Sequence, residues 1–134
     1  MSHINWLAVI ISSLLAFVIG YFWYGPFMFG PKWQKENKLT DDQLRNGNMA
    51  QLYGTALFLI VFFCIILNLN LITTDKNGMA DGIKHGFLIS VGFICTSLGV
   101  SYIFSRRSIQ LFLIDAGYFV CISVVMGAIL ASWS

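Results

Sequence analysis

Apolar residues dominate four stretches of the chain, approximately Ile4–Tyr24, Met49–Ile72, Gly82–Ser105 and Ile109–Trp133, with short polar segments between them. Each is long enough to cross a hydrocarbon core, which takes about 20 helical residues. None has the period-two alternation of a barrel strand. A backbone in lipid must satisfy its own hydrogen bonds, so the pattern predicts four helices. Arg106, Arg107 and Ser108 are nearly all that separates the last two stretches, which forces an antiparallel hairpin. The expected fold is all-α: one transmembrane domain over residues 1–134, an antiparallel up-down four-helix bundle with a short interfacial amphipathic segment between its first and second helices.

The polar segments carry their own signals. Gly25-Pro26 ends the first helix, because a residue before proline is pushed away from helical angles. Pro31 suits a first helical turn, and Lys32, Trp33, Lys35 and Lys38 continue as an interfacial stretch. Thr40-Asp41-Asp42-Gln43 fits a capping box, with Leu39 and Leu44 at the staple positions, so a short helix is expected from Asp41. Its two carboxylates then lie at the positive end of the helix dipole. Asn46-Gly47-Asn48 breaks the chain before the second span, and Asp75-Lys76-Asn77-Gly78 reads as a turn. Aromatics flank the spans. Trp6, Tyr21, Trp23, Tyr24, Trp33 and Trp133 are expected to anchor the helix ends at the headgroup layer, where amphipathic rings are favoured.

Composition agrees with this pattern. Hydrophobic residues make up 57% of the chain and charged residues 10%, against about 25% charged in a soluble domain. The eight Lys and Arg are scattered, which speaks against a nucleic-acid surface. Six of them fall in the first and third loops and two (Lys76 and Lys84) on the other side. The positive-inside rule therefore puts the first and third loops in the cytoplasm and both termini outward. No Lys or Arg precedes the first span and no small-x-small site comes after it, so that segment is expected to be retained. Cys64, Cys95 and Cys121 lie in apolar runs without metal-like spacing and read as small hydrophobes.

The opening stretch, with Asn5-Trp6, then Trp23-Tyr24-Gly25-Pro26, then Phe29-Gly30 and Trp33, resembles the start of the DUF1761 family of small bacterial membrane proteins. The last span, with Gly117-Tyr118 and a Gly-Ala-Ile-Leu-x-x-Trp ending at Trp133, is similar to that family's close. The resemblance covers nearly the whole chain. It implies a four-span protein of the bacterial inner membrane and no activity, since the family is one of unknown function.

Few residues could carry chemistry. Asp115 lies about 9 Å into the fourth span at 1.5 Å per residue, where a carboxylate needs a partner. Arg106, Arg107, Tyr102 and Ser101 are the candidates, either as a hairpin clamp or as part of an ion or proton site. Asp81, Lys84 and His85 cluster at the outer end of the third span, with Asp81 and His85 on one face. His3 is expected on the same side, and Asn68 and Asn70 on the second span could hydrogen-bond there, but two or three such groups make a weak case for metal. Gly78, Gly82, Gly86 and Ser90 form a stripe of small residues. Ser97, Ser101 and Ser105 form a second, and Ser123, Gly127 and Ala131 a third. Such stripes let helices approach closely, within one chain or between copies.

No Ser-His-Asp order, H-E-x-x-H or phosphate-cradling loop is present. A glutathione-transferring membrane enzyme of similar size would need several intramembrane arginines, which the span centres lack. The expectation is a non-enzymatic structural, accessory or regulatory membrane component without a cofactor. Its expected partners are the lipid bilayer and further copies of itself, with another membrane protein as a further candidate. The alternative is an oligomeric ion or small-solute transporter using Asp115, although no discontinuous helix pair or internal repeat of the transporter kind is present.

Overall fold

The computed structural model describes residues 3–133. Among them all regular structure is helical: α1 Trp6–Trp23, α2 Gly30–Glu36, α3 Asp41–Arg45, α4 Met49–Thr73, α5 Met79–Ile89, α6 Thr96–Phe104 and α7 Ile109–Ser132. A π-helical turn, Ser90–Cys95, joins α5 to α6 in one continuous rod. That rod, with α1, α4 and α7, gives four helices long and apolar enough to cross a membrane.

Local chemistry sets the ends. Asn5, Asn48 and Ser108 cap α1, α4 and α7, each side chain accepting a hydrogen bond from a backbone N–H of the first turn. The capping box at Thr40 and Gln43 is complete, and proline opens α2. Gly47 and Gly78 take positive φ, where a side chain would be strained, and they turn the chain into α4 and α5.

The bundle is not symmetric. α7 is its axis: α1, α4 and α5 all pack on it, and α1 also packs on α4. Half of α7's apolar stretch is buried, against 6% for the rod Met79–Phe104. The core joins Ala8, Val9 and Ala16 of α1 to Cys64, Leu67 and Leu71 of α4 and to Ile122, Met126 and Leu130 of α7.

The tightest contact joins two stripes of small residues. A Cβ added at Gly82 would collide with the Gly127 carbonyl and lie 2.7 Å from the Ala131 Cβ. At Gly86 it would lie 2.8 Å from the Ser123 carbonyl carbon. The N–H of Gly78 donates to the Ala131 carbonyl at 3.0 Å, closing the end of the contact. The stripes at Gly78–Ser90 and Ser123–Ala131 therefore pack on each other within the chain.

The stripe at Ser97, Ser101 and Ser105 has a different fate, set by the π turn. A π-helical turn inserts one residue, which rotates the remainder of the rod by about 100° relative to a straight α-helix. Ser97, Ser101 and Ser105 are exposed on the outside of the rod, while Tyr102 faces α7. Without that turn these serines would continue the stripe that begins at Gly78.

Candidate functional site

Two polar knots sit at opposite ends of the bundle. At the end that holds the loops after α1 and α6, Asp115 is buried near the start of α7. The Tyr24 hydroxyl donates to its Oδ1 at 2.6 Å, and the Tyr102 hydroxyl donates to its Oδ2. One carboxylate thus ties the end of α1, the far end of the third span and the start of α7.

Aromatic packing fixes the approach. Trp23 Nε1–H donates to the Ile114 carbonyl at 3.0 Å. The Trp23 ring lies 4.9 Å from Phe29, and Tyr24 lies 5.7 Å from Trp33 and 5.5 Å from Tyr118. The chain can fold back this closely because Gly30 carries no side chain, and a Cβ there would lie 2.6 Å from the Gly25 carbonyl oxygen. Of the residues expected at the headgroup layer, Trp6, Tyr21 and Trp133 face outward. Trp23, Tyr24 and Trp33 are half-buried: Trp23 and Tyr24 turn inward toward α7, where Ile114 and Asp115 offer their polar atoms acceptors that lipid lacks, and Trp33 packs on the Tyr24 ring.

The arginines do not clamp Asp115. The guanidinium of Arg107 lies over the Tyr102 ring, 5.2 Å from its centre, and Nη1 donates to Asn37 at 3.4 Å. Arg106 takes a positive φ in the tight link and is exposed, as is Ser101. The phenols reach the carboxylate directly, which leaves the cation one ring away.

At the other end, Asn5 gathers three elements. Its N–H donates to Asn68 Oδ1 of α4 at 3.2 Å, and its Nδ2 donates to the Trp133 carbonyl at 2.7 Å. The start of α1 and the end of α7 therefore lie together at one end of the bundle. His85 pairs through Nε2 with Asn70 Oδ1 across the α4–α5 turn. Asp81, Lys84 and His3 are exposed. Among the described residues no group of three His, Cys, Asp or Glu is placed to hold a metal.

Beside the Asp115 knot runs a cleft. Its polar end, about 890 Å³, is bordered by Trp33, Asn37, Tyr102, Arg107 and Asp115. A second space of about 920 Å³ adjoins it between α1, α4 and α7, walled by apolar side chains such as Phe17, Leu59, Phe63 and Ile122.

The model of a family described as a protein of unknown function, DUF1761, matches residues 7–131. The chain belongs to the DUF1761 family. No curated protein and no solved structure matches it. The structure gives this DUF1761 protein's opening stretch a physical meaning. Asn5 builds one knot, while Trp23, Tyr24, Phe29, Gly30 and Trp33 build the other. Sequence reasoning offers Asp115 the arginines, Tyr102 or Ser101 as partners and misses Tyr24, 91 residues away. The compact Trp-Tyr-Gly-Pro run was the available signal, and by sequence alone it reads as a membrane exit.

Proposed function

We propose that this protein is a non-enzymatic structural or accessory component of a bacterial inner membrane, and that Asp115 locks helices together rather than carrying ions. The observation that supports this reading most directly is that both Asp115 oxygens accept hydrogen bonds from phenols of other segments of the same chain. The pairs His85–Asn70 and Asn5–Asn68 satisfy further polar groups internally. In liposomes, the wild type and Asp115→Asn are both expected to pass protons, Na⁺ and K⁺ no faster than protein-free vesicles. An amide keeps one acceptor and one donor for the two phenols, so Asp115→Asn should fold. A flux in the wild type that this variant abolishes would replace this reading with the transporter.

Self-association belongs to the same proposal, with the partner a second copy. The rod Met79–Phe104 packs within the chain mainly on α7, and it leaves Ser97, Ser101 and Ser105 exposed. A Cβ added at Gly92 on this rod meets nothing within 4 Å. Small residues of this kind let helices approach in lipid. Ser101→Cys is expected to give a disulfide-linked dimer on mild oxidation in membranes, whereas a cysteine at exposed Leu59 should not. Equal cross-linking at both positions would remove this face. The same proposal has both termini outside, from the excess of Lys and Arg in loops one and three. Impermeant labelling of a cysteine placed at His3 in intact cells tests this, and protection from the label would reverse the orientation.

A further inference from the structure

The cleft beside Asp115 combines two chemistries that the lock does not require. Tyr24, Pro26, Tyr53, Tyr118 and Phe119 border both its polar and its apolar parts, so the two spaces adjoin. The apolar part reaches the side of the bundle, where Tyr21, Tyr53 and Leu59 of its lining are exposed. An entrance of this kind faces the hydrocarbon and admits a chain sideways from the bilayer. Each part falls in the range of about 300–1,000 Å³ that small-molecule sites occupy.

The polar end narrows the choice of occupant, because it offers one cation and one carboxylate on the same wall. Arg107 holds its guanidinium over Tyr102 and beside Asn37, with further N–H groups left to donate. That fork suits a phosphate. Asp115 uses one acceptor position on each oxygen for a phenol. A carboxylate has about four such positions, so it can take further donors from a neighbouring ammonium. The rings of Tyr24, Trp33 and Tyr102 around it favour a cation as well. A purely anionic headgroup would satisfy Arg107 but would set a second negative charge against Asp115.

We propose that the cleft is a binding site for a phosphoethanolamine lipid, with an acyl chain between α1, α4 and α7, its phosphate on Arg107 and its ammonium toward Asp115. The site is independent of the accessory role proposed above and would serve a protein of either function.

Native mass spectrometry of the purified full chain tests this, with phosphatidylethanolamine and phosphatidylglycerol of identical acyl chains added in detergent. The wild type is expected to retain the ethanolamine lipid about tenfold better, the scale of one charge-assisted hydrogen bond. Arg107→Gln should lower retention of both lipids, since both carry the phosphate, and Arg107→Lys should keep part of it because the charge remains. Asp115→Asn, which leaves both phenols a partner, should lose most of the preference. Ala56→Phe, which narrows the apolar part without touching the headgroup residues, should reduce retention of both lipids. Equal retention of the two lipids by the wild type, as for annular lipid only, would overturn the proposal. So would unchanged selectivity in Asp115→Asn, or unchanged retention in Arg107→Gln or Ala56→Phe. Circular dichroism of each variant separates these outcomes from misfolding, and a misfolded Arg107→Gln leaves the wild-type comparison and Ala56→Phe to decide.

Discussion

Gly82→Ala is expected to cost about 3 kcal/mol, the upper end of the usual overpacking range, although it adds a single methyl group and puts the best helix former in place of a poor one. The added carbon would strike the Gly127 carbonyl and crowd the Ala131 Cβ. Neither obstacle is the flexible end of a side chain. One is backbone, and the other is bonded directly to backbone. Relief requires α5 and α7 to separate, and separation loosens the contacts at Gly86 and Ser123 and the Gly78–Ala131 hydrogen bond together. Gly127→Ala should cost a similar amount, since a Cβ there collides with the Gly82 carbonyl from the other side. The control is Gly54→Ala on α4, where an added Cβ meets nothing within 4 Å. It should change stability by less than about 1 kcal/mol, the helix-propensity difference alone. Reversible unfolding in mixed detergent micelles, followed by tryptophan fluorescence, measures all three. If Gly82→Ala unfolded at the same detergent fraction as Gly54→Ala, the close contact would be wrong.

The same stripe shows how far sequence goes. Four helices long and apolar enough to cross a membrane were legible because lipid leaves a backbone few choices, and their ends were set by proline, glycine and capping side chains whose effects are local. The capping box at Thr40 and the start of α2 beside Pro31 are of this kind. The small-residue stripes could be seen, but spacing alone does not say which stripe meets which. Ser97 and Ser101 continue the phase of Gly86 and Ser90 in any straight helix, and only the π turn at Ser90–Cys95 parts them. No proline or charge marks that turn. It depends on two different faces of one rod being needed against α7, with Gly82 and Gly86 on the first and Tyr102 on the second. The partners of Asp115 were half-legible for a related reason. Tyr102 lies on the adjoining hairpin and is found by proximity along the chain. Tyr24 arrives from the first span, and nothing short of the packed bundle specifies that meeting. The arginines were the electrostatic expectation, but at a wet helix end Arg107 is accommodated by a ring and an amide instead.

Asp115→Leu carries the second large effect, and its sign decides what the carboxylate is for. Considered alone, a leucine in a membrane helix should be favourable, because a carboxylate within the span costs a few kcal/mol. In this bundle the substitution strands two phenols. Tyr24 and Tyr102 both donate to Asp115, and a donor left unsatisfied in a buried site costs about 1–3 kcal/mol. Tyr102 is the nearer to the polar loops and can turn toward water. Tyr24 is wedged against Trp33 and Tyr118 and cannot do so without opening that packing. The net expectation is a loss of about 2–3 kcal/mol, most of it through Tyr24. Asp115→Asn should lose less than about 1 kcal/mol, since its amide still gives each phenol a partner. Removing donors and acceptor together should recover much of the deficit, so Tyr24→Phe/Tyr102→Phe/Asp115→Leu is expected to be more stable than Asp115→Leu alone. A double-mutant cycle between positions 24 and 115 should give a coupling of about 1–2 kcal/mol, within the range for residues in contact. If Asp115→Leu proved as stable as the wild type and the coupling vanished, Asp115 would not hold the bundle together. Its retention in a hydrophobic helix would then need an explanation in ligand or ion binding.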